Sequence, residues 1–296
     1  MISFLIPIYN QDVNTLIDCL FEQCRATGEV YEIICYDDYS DEKYKILNRA
    51  LSEKMGVSYM EMSKNLGRSK IRNWLGKNAR YEQLVFMDCD SVIEHDGFVQ
   101  QYINSIGKAD LVYGGTSYQS EKPDDNKLLH WKYGKKVEAL SVGKRTKQGF
   151  RSFRSNNFMI TRSVFVKNLF DEKVEGYGYE DNLLSESLQE QNLTILHIDN
   201  PLLHDGLEKN NVFISKTENA ISNLVKKYAA GQIKTRLTDL YERLDDIGLT
   251  ILFKKYTTLF AKNRRAKLIA NKAPLLSFQL YKLELFIDKL EASDSE

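Results

Sequence analysis

Only four prolines occur in 296 residues, and no Pro-rich, Gly/Ser-rich or low-complexity stretch marks a linker. Cysteine is equally sparse. Cys19, Cys24, Cys35 and Cys89 form no Cys-x-x-Cys pair and no Cys/His cluster with zinc-finger spacing. They read as buried, reduced thiols suited to a reducing compartment. No apolar run approaches the ~18 residues of a membrane span. The opening MISFLIPIYN is apolar but lacks the basic start and small-residue cleavage site of an export signal. The expectation is a cytoplasmic protein, at most peripheral on the inner face of a membrane. An excess of one charge is also missing: Lys+Arg and Asp+Glu are both 41. That balance argues against wholesale nucleic-acid binding.

What is present is a core. The chain is 43% hydrophobic and long enough for one large domain, or a domain plus an extension. Apolar runs at Ile2–Ile8, Tyr31–Tyr36 and Val57–Met62 read as buried strands. Between them, Leu16, Ile17, Leu20, Phe21 and Cys24, then Tyr44, Ile46, Leu47 and Leu51, recur at helical spacing. Asp12 or Asn14 is the expected cap of the first helix, and Ser40 or Asp41 of the second. Strand, helix, strand, helix is a doubly wound α/β pattern, in which ligands bind at the carboxyl ends of strands. Those ends are polar here: PIYNQD, CYDDYSDE, then NLGRSKIRNWLG. Arg68 and Arg72 are four apart on one helix face and can meet a diphosphate; a solvated basic face is the plain alternative.

The stretch LVFMDCDS, residues 84–91, carries the first chemistry. Asp-x-Asp arises by chance about once in a chain of this length. Its place at the end of a buried strand is what gives it weight. In an extended chain both carboxylates leave on one face. Hard oxygen ligands of that kind suit magnesium, manganese or calcium better than zinc.

These four pieces, in this order on these elements, resemble glycosyltransferase family 2 and its GT-A fold over roughly the first 205 residues. The resemblance implies an α/β, Rossmann-like nucleotide-sugar-binding domain with a mixed central sheet, residues 1–205, followed by a helical C-terminal extension, 206–296. It implies that Asp38 holds the nucleotide base, beside Asp37, that the loop at Pro7 and Tyr9 lines the same pocket, and that Arg68 and Asp88 border the nucleotide. Asp90, supported by Asp88, would hold a divalent manganese or magnesium ion. SNNFMI, residues 155–160, resembles the family's small-polar strand beneath the sugar.

A second chemical stretch is VEGYGYEDNLLSESLQE. Its glycines allow tight backbone geometry, and its tyrosines offer flat faces and hydroxyls to a sugar. It resembles the Gly-aromatic-Gly-x-Glu-Asp motif of inverting galactosyl- and N-acetylgalactosaminyl-transferases, which implies Asp181 as catalytic base, with Glu180 beside it as the alternative. The plain reading of Asp181 is a helix cap. By the same resemblance His204 completes the metal site, while His197, inside a strand, reads as packing.

Two regions have no family explanation. Residues 118–154 are polar and basic and are expected to form a mobile lid or acceptor loop that meets phosphate, with a solvated surface segment as the plain alternative. From about Gly206 three helices are expected. Between Asp246 and Glu284 they have no acidic residue, but Lys254, Lys255, Lys262, Arg264, Arg265, Lys267, Lys272 and Lys282, interleaved with apolar residues such as Leu249, Leu259 and Phe260. A basic amphipathic helix can lie on an anionic membrane or pack on the domain.

The sequence therefore points to an inverting, metal-dependent glycosyltransferase. Its donor would be a nucleotide-diphosphate sugar, UDP-linked, and its acceptor a glycan or lipid-linked glycan, as in surface polysaccharide synthesis. Two rivals stand beside it. A sugar-phosphate nucleotidyltransferase needs a glycine-rich basic loop after the first strand, and PIYNQD has neither glycine nor base. A transferase-like binding or scaffold subunit would have lost the acidic residues retained here.

Overall fold

Alternate residues of the first strand, Ile2–Ile8 (β1), point to opposite faces of a sheet. Ile2, Phe4, Ile6 and Ile8 enter one core layer and Leu5 the other. The fourth strand, Gln83–Met87, repeats this, with Val85 and Met87 on the first face and Leu84 and Phe86 on the second. Both faces are buried, so the strands are apolar throughout rather than alternating with polar residues. The structure is a computed structural model that describes residues 1–174, 176–261 and 263–293.

The ten strands are β1, Tyr31–Asp37 (β2), Val57–Glu61 (β3), Gln83–Met87 (β4), Ser91–Val92 (β5), Leu111–Tyr113 (β6), Thr116–Ser117 (β7), Asn157–Thr161 (β8), Ile195–His197 (β9) and Leu202–His204 (β10). Seven form a mixed sheet in the order β3-β2-β1-β4-β8-β6-β9. β3, β2, β1 and β4 run parallel, and β8 runs antiparallel to both β4 and β6. Chain order reverses between β1 and β4, so a crevice opens at their carboxyl ends. The acidic stretch following β4 lies at that crevice. On the second face Phe86 stacks on Phe158 with centroids 4.9 Å apart, and Phe165 and Phe170 close around them.

β5, β10 and β7 form a small second sheet. β10 runs antiparallel to β5 with His204 opposite Ser91, and the Asp205 N–H donates to the Asp90 carbonyl at 2.9 Å. This ladder carries His204 back to the acidic stretch, more than a hundred residues earlier in the chain.

Several sequence expectations change. The first helix, Asn14–Thr27, is preceded by Val13 and has no side-chain cap; the Asp12 carboxylate instead accepts the Asn14 N–H. Asp41 does precede the second helix, Glu42–Asn48, again without a capping bond. Residues 118–154 are not a long loop. They contain helices Leu128–Tyr133 and Val142–Gln148 and two further short helical turns. Arg145, 2% exposed, lies inside this segment. It donates to the carbonyls of Leu140, Tyr113, Gly114 and Ile198. It is a strut between strand ends, not a phosphate ligand.

Among its described residues the C-terminal region has five helices rather than three: Asn210–Ala229, Arg236–Asp246, Thr250–Ala261, Arg264–Ile269 and Leu275–Ser293. The expected long central helix breaks at Gly248, with φ 66°, and again at Asn263, with φ 67°. Ile221, Leu224 and Phe286 form its core, and Tyr179 and Leu183 from the Gly-Tyr-Gly-Tyr region pack against it. Three of its cations face carboxylates: Arg264 meets Glu284, Arg265 meets Glu218, and Lys254 meets Glu291. Their pairing serves helix packing and lends no support to a membrane-facing basic stripe. Leu259, Phe260 and Lys262 lie outside the described side chains. Among the described residues no helix is long and apolar enough to cross a membrane.

Replacing Arg145 by Met removes the donor for four carbonyls. Urea unfolding should show a loss of about 3–5 kcal/mol, the scale of an uncompensated buried polar cluster. The exposed neighbour Lys144→Met should change stability by less than about 0.5 kcal/mol. Equal effects would refute the strut.

Candidate active site

One cavity of about 240 Å³ opens at the carboxyl end of β4. It gathers Arg68, Asp88, Asp90, Glu180, Asp181 and His204. Pro7, Tyr9, Asp37 and Asp38 do not line it; they sit at the neighbouring ends of β1 and β2. Asp37 is fully buried and accepts the Ser40 N–H and the Tyr59 hydroxyl, so it holds the turn after β2. Asp38 accepts the backbone N–H groups of Leu66 and Gly67 at 2.6 and 2.9 Å. It therefore anchors the start of helix Arg68–Asn78, which supplies Arg68 and Arg72. Each of its oxygens retains a lone pair. Tyr9 is 56% exposed beside it.

After β4 the chain turns at Cys89–Asp90 instead of continuing extended. The two carboxylates therefore meet different partners. The Arg72 guanidinium, 2% exposed, donates to Asp88, and the Arg68 guanidinium lies 3.6 Å from its other oxygen. Asp90 faces His204, with Oδ1 3.6 Å from Nδ1, longer than a hydrogen bond. That oxygen is buried and has no hydrogen-bond partner among the described residues. Burial works to raise the Asp90 carboxyl, but His204 and Arg68 outweigh it and hold it at about 2. Gly206 makes room here: a Cβ on it would fall 2.1 Å from Asp90 Oδ2.

An ionised, buried carboxylate oxygen lacking a partner, with an imidazole nitrogen beside it, is a donor pair that fits a divalent cation. No group of three His, Cys, Asp or Glu side chains is arranged as a metal cage among the described residues. The reason is that Asp88 is turned toward the two arginines. His197, by contrast, is in β9 with its Nε2 3.2 Å from the Gly149 carbonyl. Burial lowers it to about 4, the behaviour of a neutral packing histidine.

The Gly-Tyr-Gly-Tyr backbone takes an unusual path into helix Glu180–Glu190. Tyr179 precedes the helix with φ 71° and makes no side-chain cap. Gly178 has φ 104°, and a Cβ there would fall 2.5 Å from Ala220 on helix Asn210–Ala229. Glycine is required at 178 both by its left-handed backbone and by this approach. Tyr177 has Arg68 and Lys216 at 5.1 and 5.4 Å from its ring centroid, so cations already occupy its flat faces.

The two acids then separate in character. Glu180, 4% exposed, receives the Arg68 Nε–H at 2.8 Å and the Gly178 N–H at 3.1 Å. Burial raises its carboxyl, but Arg68 and Arg72 outweigh this and leave it below the ordinary range. Asp181 accepts only the Asn182 N–H, and its nearest cation, Arg154, is 3.9 Å away. It is not the helix cap. Burial pushes it up to about 6 against the pull of Arg154, with Glu180 adding to the rise.

The far wall was not legible in sequence. Lys216 and Lys282 come from the C-terminal helices and Glu138 and Tyr133 from the 128–138 segment. Each is a single residue on a helical segment, brought in only by tertiary packing.

With this geometry in view, the relationship is direct. Glycosyl transferase family 2 matches residues 3–170, more than half of the chain, and the chain belongs to that family. It is a glycosyltransferase with a mixed α/β GT-A fold and a helical C-terminal region. Among solved structures it is similar to the mannosyltransferase PcManGT of Pyrobaculum calidifontis, in complex with GDP-Man and Mn2+, at 13% identity and TM-score 0.56 over 99% of this chain and 75% of that one. TarS 1-349 of S. aureus is 15% identical, with TM-score 0.51 over 99% and 91%. Glucosyl-3-phosphoglycerate synthase of Mycobacterium tuberculosis, in complex with Mn2+, UDP and glucosyl-3-phosphoglycerate, is 16% identical, with TM-score 0.51 over 77% and 79%. At such identities these structures speak for the fold. Among curated proteins none matches the chain in sequence.

A carboxyl that keeps its proton to about pH 6 in the fold, against 3.8 ordinarily, makes the unfolded state the weaker proton binder between those values. Stability then falls as pH rises through that window and stays reduced above it. Asp181→Asn should therefore raise Tm above pH 6 and give no gain below about pH 4. A gain of the same size at both pH values would contradict the raised carboxyl.

Proposed function

We propose that this glycosyltransferase moves a sugar from a UDP-linked donor to an acceptor hydroxyl with inversion and with a divalent metal, manganese or magnesium. Residues 1–205 form the catalytic domain, and 206–296 the helical extension that completes its wall. The acceptor is a glycan or lipid-linked glycan. The observation that carries this reading is the contrast between adjacent acids in one cavity: Glu180 is taken up by Arg68, while Asp181 keeps a raised proton affinity and a nearly free carboxylate.

Asp90 and His204 would hold the metal, with Asp88 in support. When bound it would neutralise the leaving diphosphate. The neighbours crystallised with Mn2+ and with GDP-Man or UDP support a metal and a nucleotide in this fold. Pro7, Tyr9 and Asp38 border the base and ribose, Asp37 keeps their turn in shape, and Arg68 stands on the diphosphate side. Asp181 takes the proton of the acceptor hydroxyl as its oxygen forms a bond to the anomeric carbon. The bond from that carbon to the diphosphate oxygen breaks, and its electron pair leaves with the nucleotide. Glu180 keeps Arg68 in place and does not exchange protons.

A scaffold role would require neither the free Asp181 nor the orphaned Asp90 oxygen. Both acids make the reading testable. Asp181→Asn should lower transfer roughly 100- to 10,000-fold, the usual worth of a general base, with UDP binding little changed. Wild-type kcat/KM should rise about tenfold per pH unit below about 6, then level. Near-normal turnover of Asp181→Asn with loss in Glu180→Gln would move the base to Glu180.

Asp90→Asn should abolish the metal-dependent part of UDP binding in calorimetry while leaving the circular dichroism spectrum unchanged. Full activity of that variant in chelator would sink the metal assignment.

A further inference from the structure

The cations of the cavity differ in how they are matched. Arg68 is held by Glu180 and Asp88, and Lys216 pairs with Glu208. Lys282, on helix Leu275–Ser293, has no carboxylate partner among the described residues, although the same helix carries Glu284, Asp288 and Glu291. Its Nζ reaches inward, donates to the Tyr133 hydroxyl at 3.4 Å and lies 5.2 Å from that ring's centroid. Arg154 is similar: it donates to the Phe153 carbonyl, its nearest carboxylate among the described residues is Asp181 at 3.9 Å, and Glu138 acts on it from farther off. Lys282, Arg154, Tyr133 and Tyr179 share one corner of the cavity with Asp181. The metal-side residues Asp90 and His204 are grouped separately around the β5–β10 ladder.

A cation drawn from solvent without a counter-charge is unfavourable unless an anion completes it. Lys282 remains a cation despite this position: burial pulls its ammonium down, but Tyr133 and Tyr179 outweigh it. Phenol hydroxyls beside it add neutral donors of the kind that seat phosphate or carboxylate oxygens.

We propose that this corner is an acceptor subsite for an anionic group, phosphate or carboxylate, seated by Lys282 and Arg154 so that a neighbouring hydroxyl of the same acceptor meets Asp181. The proposal rests on the transferase reading above and names its acceptor class. An acidic acceptor also explains why a cavity already holding four or more carboxylates keeps two loosely matched cations beside the base.

The test uses the full chain and matched probes in calorimetry: glycerol 3-phosphate against glycerol, and glucuronate against glucose. An anionic probe should bind and its neutral partner should not, and the better anion separates phosphate from carboxylate. Lys282→Met should weaken the anionic probe roughly 10- to 100-fold, the worth of one charge-assisted hydrogen bond. Lys282→Arg should retain it, and UDP binding should be unchanged in both. If Lys282→Met proves unstable, the wild-type protein decides: probe binding must weaken as salt is added. Equal binding of neutral and anionic probes overturns the proposal. So does a parallel loss of UDP affinity in Lys282→Met, which would assign the lysine to the donor diphosphate. Failure of wild-type protein to bind UDP would overturn the UDP-donor reading and leave the anion result standing.

Discussion

The Arg68 guanidinium is the contact on which the rest of the site depends. It joins three parts of the chain: the helix after β3, Asp88 at the end of β4 and Glu180 at the start of a helix more than a hundred residues later. Its Nε–H fixes Glu180 at 2.8 Å, and its face covers Tyr177. Because one guanidinium satisfies Glu180, the burial that both acids share is compensated for one and not for the other. Adjacent carboxylates thus acquire opposite proton affinities, one below and one above its usual range. Separating two titratable groups in this way assigns different roles to neighbours in sequence.

The arginine is itself placed by Asp38. That carboxylate caps no helix with a conventional cap, yet it accepts two consecutive backbone N–H groups at the entry to Arg68–Asn78. The residue proposed to hold the base thus also sets the position of Arg68, the residue proposed for the diphosphate side. A perturbation at the strand-two end has a direct mechanical route to the acids of the cavity.

The C-terminal helices are part of the site rather than an appendage to it. Gly178 touches Ala220, Tyr179 packs into the helical core, and Lys216 and Lys282 complete the wall. Three of their cations, Lys254, Arg264 and Arg265, are matched by carboxylates on adjoining helices. Part of the basic composition here thus serves helix pairing, while Lys282 faces inward to the cavity.

The sequence by itself determined the sheet, the strand ends and the order of chemical stretches. Runs such as Ile2–Ile8 and Leu84–Met87 are too apolar for anything but a two-sided core, and that constraint is local. The family resemblance singled out Asp90, His204, Glu180 and Asp181, and the fold brings all four to one cavity. Sequence patterning misread residues 118–154 as a loop, because Arg145 looks like surface charge until four carbonyls surround it. It also placed Asp88 and Asp90 on one face, because pleat alternation holds only while the chain stays extended, and here it turns. Tertiary structure alone decided which acid is neutralised, which oxygen is left without a partner among the described residues and which lysine is turned into the cavity. Those are properties of distances between residues far apart in the chain, and charge compensation in a buried site depends on such distances, not on sequence spacing.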